Sequence, residues 1–243
     1  MEFEYLWCTE QGKRSDDNRD FCGIGLRSDI SLCIVLDGAT SGSKSGDFAC
    51  KIATQLIDWF VEVTAPITVD AIIIQLREVH RLLAPDFRSA SASYAVIVIE
   101  AEKPLTVLHA GDCLVGQLHK TRPVCWKTRP HTLVNAIQNM PIIEIAQSTL
   151  RNRLTRSLRT REFLRPEVSH LNLNGDEAIV IGTDGFWADL HPDDQSLFLR
   201  NRGLPGKENR DDCSALIIRP TSPNRKSKIV EGKSKNLYIV DSR

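Results

Sequence analysis

The chain has 243 residues, a formal net charge of zero and a charged fraction of 26%. A chain of this length forms one large domain, or a domain with a modest appendage. Its balanced charge gives no reason to expect nucleic acid or an anionic membrane as a partner, and its apolar runs are shorter than the roughly 20 residues that span a bilayer. The first residues carry acids where a secretion signal has a basic region, so we expect a cytoplasmic protein.

The seven cysteines are interpreted as structural. None of them forms a CxxC pair, and most lie within apolar runs such as SLCIVL. A zinc site needs clustered cysteine or histidine ligands, which this spacing lacks. We expect most of the cysteines to behave as small buried hydrophobic side chains.

The first part of the chain predicts strands followed by two helices. Aromatic and β-branched content favours strands, and apolar positions at helical spacing favour helices. Asp47 would lie in the first turn of the first helix, where a negative charge suits the helix dipole. The predicted elements are a strand at 3–9, a hairpin of 21–28 and 30–37, a helix at 48–63 and a helix over about 69–84.

The second part predicts further hairpins with short helices between strands. Segregated strands and helices joined by hairpins, rather than βαβ alternation, indicate an α+β fold with largely antiparallel sheets. Residues 142–158 show helical periodicity within the least readable region, 126–165. The other predicted elements are strands at 93–101, 104–111, 113–120, 167–173, 177–183 and 213–220, an Asn-Gly-Asp turn at 174–176, and helices at 184–190 and 191–201.

Four aspartates lie where apolar strands meet their turns. Asp37, Asp112 and Asp184 end such runs beside glycine, and Asp211 precedes another. Carboxylates at the ends of buried strands are held firmly by the core, and four of them could converge on one site. Converging carboxylates repel one another unless a cation neutralises them, and a hard divalent ion with oxygen ligands is the usual solution.

The order of these motifs resembles the metal-dependent serine/threonine phosphatases of the protein phosphatase 2C type. The motifs are NRD, LDGATSGSKSGDFA, HAGDC, RNRLTRSL, GTDGFWADL and RDDCSALII, and they cover about residues 5–219. The resemblance implies an antiparallel β-sandwich flanked by helical pairs, in four α/β/β/α layers. It also implies a centre of two Mg²⁺ or Mn²⁺ ions that activates water for attack on phosphorus.

The same resemblance implies a set of metal ligands. Asp37 would bridge the two ions, the Gly38 carbonyl would bind one of them, and Asp184 and Asp211 would complete the other shell. Asp112 matches an aspartate that some bacterial members use for a third, weaker ion. The neighbouring Asp212 could exchange with Asp211 if the motif shifted by one residue; otherwise it is expected to be a helix-cap or loop acid.

The first motif departs from the family pattern. Asp20 matches an acid that holds metal-bound water, but the family's acid before it is Arg19 here. Ser15 stands where the family has a phosphate-binding arginine, and Arg14, one residue away, is the candidate replacement because a guanidinium binds phosphate bidentately. These departures leave open a catalytically impaired protein that binds a phosphoprotein or regulatory partner. An unrelated carboxylate–metal enzyme, such as a nuclease, would need a basic face.

The resemblance places the phosphatase-like domain at 1–219 and a basic tail at 220–243. From Arg219 onward there are seven basic residues and two acidic ones, a net charge of +5. A solvated tail whose final LYIV adds an edge strand is one interpretation, and a tail that binds an acidic partner is another. Expected substrates are phosphoserine and phosphothreonine proteins, the targets of a serine/threonine kinase.

Overall fold

The computed structural model describes residues 2–13, 16–40, 42, 44–119, 122–173, 177–204, 211–221, 228–230 and 235–243. The strands, in chain order, are β1 (Phe3–Glu10), β2 (Asp20–Leu26), β3 (Ile30–Gly38), β4 (Ser91–Glu100), β5 (Leu105–Ala110), β6 (Leu114–Leu118), β7 (Cys125–Trp126), β8 (Leu158–Arg159), β9 (Glu167–Leu171), β10 (Ala178–Gly182), β11 (Cys213–Pro220), β12 (Lys228–Val230) and β13 (Leu237–Asp241). The helices are α1 (Ser45–Glu62), α2 (Val69–Leu83), α3 (Ile142–Gln147), α4 (Asp184–Trp187) and α5 (Pro192–Asn201), with a 3₁₀ turn at Leu133–Asn135.

Two sheets form a sandwich. Sheet A has the order β12-β1-β11-β10-β6-β7, and sheet B has the order β13-β2-β3-β4-β5-β9, with β8 paired to the start of β4. The predicted hairpins are confirmed, because β2 pairs with β3 and β4 pairs with β5 in antiparallel register. Two described pairs are parallel, β12 with β1 and β13 with β2.

Three apolar clusters separate four layers. The middle cluster fills the space between the sheets and includes Trp7 and Val107. A second cluster packs α1 and α2 on sheet B, and a third packs α4 and α5 on sheet A, with Phe186 and Phe198 at its centre. Each strand contributes side chains to the clusters on both faces of its sheet, since successive residues of a strand point to opposite sides. The predicted α/β/β/α architecture is confirmed.

The helical periodicity of residues 142–158 gave a wrong prediction. Only Ile142–Gln147 forms a helix, and the remainder is turns and a short strand. Leu154 forms a backbone bridge with Thr132, and Leu158 pairs with Ala92 of β4. Pairing with distant backbone therefore replaces local helix formation, as tertiary context commonly does. The predicted turn at 174–176 lies outside the described residues.

The described parts of the C-terminal segment belong to both sheets. Lys228–Val230 pairs with β1, and Leu237–Asp241 pairs with β2. The predicted division at residues 219 and 220 stays a prediction, but these pairings attach the segment to the sandwich.

Among the described residues, no helix has both the length and the apolar character needed to cross a membrane.

Candidate metal centre

Sheet B contributes the first carboxylates of the site. Asp20 begins β2 and lies directly opposite Asp37 near the end of β3, and Asp37 in turn lies opposite Ser93 of β4. Gly38 follows Asp37 and is buried against α1. A Cβ at this glycine would lie 2.6 Å from the Ser45 carbonyl oxygen, so the close approach of β3 to the helix requires glycine.

The remaining aspartates come from connections at the same end of the sandwich. Asp112 lies in the turn where the chain passes from β5 in sheet B to β6 in sheet A. Asp184 is the first residue of α4, directly after β10, and Asp211 precedes β11. Since β10 and β11 are neighbours in sheet A, their ends lie side by side.

These elements enclose one cavity of about 280 Å³. Four of the predicted aspartates share it, while Asp20 lies beside it, almost completely buried. The lining residues are Asp37, Ala39, Thr40, Ser91, Ser93, Asp112, Asn152, Leu154, Asp184 and Asp211. The structure thus brings together aspartates that are up to 174 positions apart in the sequence.

Hydroxyl groups hold two of the carboxylates, and an indole holds the backbone carbonyl of one of these aspartates. The Ser93 hydroxyl donates to Asp112 Oδ1 over 2.5 Å, and Trp187 Nε1 donates to the Asp112 carbonyl over 2.8 Å. The Thr183 hydroxyl donates to Asp20 Oδ2 over 2.9 Å. Such contacts fix carboxylate orientation in the way that outer-sphere hydrogen bonds do around metal ligands.

The electrostatics of the site oppose ionisation. Burial raises the pKa of Asp37 well above its usual range, and the neighbouring charge of Asp184 raises it further. Burial, reinforced by Asp112 and opposed by Arg151, raises the pKa of Asp184 to about 8. Burial also raises the pKa of Asp112. These carboxylates therefore need positive charge to be ionised together at neutral pH.

The donor set fits a hard divalent cation. Every titratable group lining the cavity is a carboxylate, and Mg²⁺ and Mn²⁺ prefer oxygen ligands. Asp20 Oδ1 is buried and accepts no hydrogen bond from the residues that the structure describes. A buried carboxylate oxygen left in this state is costly unless a cation or bound water satisfies it.

Arg19 of the first motif makes contacts within the protein. Arg19 donates from Nη1 to the Ala39 and Thr40 carbonyls and from Nε to Asp17. Its side chain is 19% exposed, and because Ala39 and Thr40 line the cavity, the guanidinium lies at the cavity rim. Arg14, the predicted phosphate-binding residue, and Ser15 lie outside the described residues.

Asp212 is not the simple loop acid that the sequence suggested. Its two carboxylate oxygens accept from the backbone N–H groups of Gly12 and Arg19, each over 2.8 Å. Asp212 therefore ties the first motif to β11, while the adjacent Asp211 faces the cavity. His109, in contrast, is a core residue: it is buried, and its Nε2 lies 3.1 Å from the Arg129 carbonyl oxygen.

Arg151 is a site residue that sequence reasoning missed. Its Nη2 lies 2.5 Å from Asp189 and its Nη1 lies 3.7 Å from Asp184, with only 11% of the side chain exposed. The motif RNRLTRSL contained it, but nothing in that motif indicated that it would turn back onto Asp184. Ser93 and Thr183 were missed because a small hydroxyl residue at a strand end carries no distinguishing sequence signal.

Comparisons with known proteins support the fold. No protein-family model and no curated protein sequence matches the chain. The Staphylococcus aureus serine/threonine phosphatase Stp1 is similar in structure, with a TM-score of 0.75 and 16% identity over 91% of this chain and 96% of that one. The S. agalactiae serine/threonine phosphatase has a TM-score of 0.73 and 18% identity, over 89% of this chain and 98% of that one.

A third solved structure holds metal. The catalytic domain of the serine/threonine phosphatase PstP in complex with two manganese ions has a TM-score of 0.67 and 14% identity, over 89% of this chain and 97% of that one. This chain has the fold of the bacterial serine/threonine phosphatases. The resemblance found in the sequence is therefore confirmed at the level of the fold.

Proposed function

We propose that this protein is a metal-dependent phosphatase that hydrolyses phosphoserine and phosphothreonine on proteins. The observation that carries the proposal is the convergence of Asp37, Asp112, Asp184 and Asp211 on one cavity in a fold shared with serine/threonine phosphatases. Asp37, Asp184 and Asp211 would hold two Mg²⁺ or Mn²⁺ ions, with the Gly38 carbonyl as a further ligand and Asp112 available for a third ion. When bound, such ions polarise phosphoryl oxygens and make a nucleophilic water available near neutral pH.

The protein's own residues would orient these ligands and the substrate. Ser93 fixes Asp112, Thr183 fixes Asp20, and Arg151 offsets part of the charge on Asp184. Burial of these groups makes each interaction stronger than it would be in water. The arrangement requires no Ser–His pair, because the side chains need only hold the ligands and position phosphate. Arg14 remains the proposed phosphate-binding side chain.

The second candidate function is binding of a phosphoprotein or regulatory partner without turnover. It is favoured by Arg19, which stands where the phosphatase family has an acidic residue. The Arg19 guanidinium donates hydrogen bonds to the Ala39 and Thr40 carbonyls at the cavity rim. A guanidinium cannot ligate a metal, and its fixed charge disfavours a nearby cation. The three principal aspartates nevertheless lie at the cavity, which favours catalysis.

The test is hydrolysis of p-nitrophenyl phosphate and of a phosphothreonine peptide with Mn²⁺, Mg²⁺ or chelator. We expect turnover that requires metal and falls by about 100-fold or more in Asp37→Asn, since a lost ligand costs at least as much as a lost outer-sphere partner. Asp193→Asn is the matched control, because Asp193 lies in the first turn of α5, away from the cavity lining. No turnover from folded protein in any metal would favour the binding function, and Arg19→Glu would then be the next variant.

Several finer points extend this proposal. We propose that the substrates are targets of a serine/threonine kinase and that the protein acts in the cytoplasm. We also propose that the basic C-terminal segment binds an acidic partner. Within the segment, Arg243 already pairs with Glu2 and Asp241, so the other basic residues would supply the charge for that partner. Deletion from Thr221 should lower turnover of p-nitrophenyl phosphate, because it removes β12, β13 and the Asn236 contact to the Asp20 carbonyl; a test of partner binding therefore needs charge substitutions in the segment instead of its removal.

A further inference from the structure

A stretch that contributes two residues to one wall of the cavity is rich in arginine. Residues 151–165 contain six arginines and one acid, Glu162, although the whole chain carries equal numbers of basic and acidic residues. Asn152 and Leu154 from this stretch line the cavity. The positive charge is therefore concentrated beside a cavity whose floor is made of aspartates.

The fold places part of this charge next to residues that line the cavity. Arg153 lies between the two lining residues and is exposed, and its backbone is held by Leu150 and Leu133. Arg159 lies opposite the lining residue Ser91 in the β8–β4 pair, and its Nη2 donates to the Leu154 carbonyl over 2.5 Å. The Thr160 hydroxyl donates to the carbonyl of Arg88, which brings a further exposed arginine to the same edge.

Two other arginines of the stretch have acidic partners within the protein. Arg151 pairs with Asp184 and Asp189, and Arg165 pairs with Asp70. Arg153 is next in sequence to the lining residues Asn152 and Leu154, and Arg159 bonds to neutral groups beside the lining residues Ser91 and Leu154, so these two exposed arginines carry charge that a bound molecule would meet at the rim. With the phosphoryl group of a substrate bound in the cavity, as the proposed function requires, carboxylates on either side of it in a peptide would fall within reach of this rim.

We propose that the arginine rim, Arg88, Arg153 and Arg159, selects phosphopeptides with acidic residues next to the phosphorylated serine or threonine. This inference rests on the proposed function for the position of the phosphate. Exposed arginine–carboxylate pairs contribute modestly one by one, so the preference comes from several pairs together and is weakened by salt.

A nucleic acid fits this surface less well. Single strands usually need aromatic side chains on which bases stack, and the one aromatic residue of the stretch is Phe163. Its ring already packs against His80, with centroids 5.7 Å apart, and Arg77 covers it at 5.3 Å. The wall thus offers charge without a stacking platform.

The experiment measures binding separately from turnover. Three labelled peptides of equal length carry a non-hydrolysable phosphonate in place of phosphothreonine, with glutamate, serine or lysine flanks. Fluorescence anisotropy with Mn²⁺ gives the ratio of affinities for the acidic and basic peptides. We expect a ratio of about tenfold or more at low salt, collapsing at about 0.5 M salt.

Variants assign the effect to the rim. Arg153→Glu should lower the ratio by about three- to tenfold, by weakening the acidic peptide and strengthening the basic one, and Arg153→Gln should have about half that effect on a logarithmic scale. A change in opposite directions for the two peptides cannot come from misfolding. Arg200→Glu on α5 makes the same charge change on an exposed helix away from the cavity and should leave the ratio unchanged.

Equal binding of the three peptides by the wild type would overturn the proposal, as would a ratio that Arg153→Glu does not move or that Arg200→Glu moves equally. Tighter binding of a single-stranded oligonucleotide of the same charge would overturn it in favour of nucleic acid. Hydrolysis of p-nitrophenyl phosphate is measured in parallel. Its absence would count against the phosphatase function alone, because the affinity ratio is obtained without turnover.

Discussion

At the scale of single residues, buried polar groups divide into those that serve the cavity and those that serve the sandwich. Asp112 and Asp20 accept from hydroxyl groups beside the site. His109 belongs to the second group, stacked on His131 with ring centroids 4.5 Å apart and hydrogen-bonded to the Arg129 carbonyl. Burial, then the neighbouring His131, lowers the pKa of His109 to about 4.

This depressed pKa predicts acid sensitivity. The unfolded chain protonates His109 near pH 6.5 and the folded protein near pH 4, so the stabilising effect of the neutral imidazole is complete above pH 6.5 and is lost as the pH falls towards 4. In chelator, the wild type should lose about 1–3 kcal/mol more than His109→Phe between pH 7 and pH 4.5, as measured by urea unfolding. The exposed His191 provides the control, since His191→Gln should follow the wild type; identical pH profiles for wild type and His109→Phe would contradict the prediction.

At the scale of elements, β13 connects the C-terminal segment to the site. Asn236, which precedes this strand, is 8% exposed. Its Nδ2 donates to the Asp20 carbonyl over 2.8 Å and to Thr9, and its Oδ1 accepts from Trp7. One side chain therefore bridges β1 of sheet A and β2 of sheet B directly beneath Asp20.

Removal of this bridge should weaken the whole sandwich. Asn236→Ala leaves the Asp20 carbonyl and the Trp7 indole without their buried partner, and we expect a loss of about 1–3 kcal/mol in the free energy of unfolding. Urea unfolding measures it. Lys235→Ala, at the exposed neighbouring position, should unfold at the wild-type midpoint, and an unchanged midpoint for Asn236→Ala would show that the bridge contributes nothing.

At the scale of the whole molecule, the fold gathers acidic side chains at one end of the sandwich and buries them. The mutual repulsion of the cavity aspartates acts against folding, and the apolar clusters on either side of the sheets hold them together. A fold that keeps such a cluster gains stability from any ligand that neutralises it.

Two opposite changes should therefore stabilise the protein. Saturating Mn²⁺ should raise the melting temperature of the wild type by several degrees, about 1–3 kcal/mol, through binding to the folded state. In chelator, Asp37→Asn should itself be more stable than the wild type, by about 1–2 kcal/mol, because a neutral amide avoids the cost of burying a carboxylate beside other carboxylates at neutral pH. Differential scanning calorimetry at neutral pH measures both.

The control for this prediction is again Asp193→Asn, which should behave as the wild type with and without Mn²⁺. A less stable Asp37→Asn in chelator would mean that the carboxylate is held by contacts that outweigh the repulsion. An Mn²⁺ response that survives Asp37→Asn unchanged would place the metal elsewhere.

The sequence by itself determined the elements whose signals are local. Apolar periodicity predicted α1 and α2, the hairpins β2–β3 and β4–β5, and the short helices after Asp184 and His191, because side-chain spacing and turn residues act within a few positions. The position of each cavity aspartate at the end of an apolar strand was visible for the same reason.

Tertiary structure alone decided how those strand ends meet. Asp37 and Asp184 share a cavity because two sheets pack face to face, and Arg151 reaches Asp184 because residues 148–160 give up helix formation to pair with β4 and Thr132. Such contacts join residues far apart in the chain, and their free energy depends on packing that no short stretch of sequence contains.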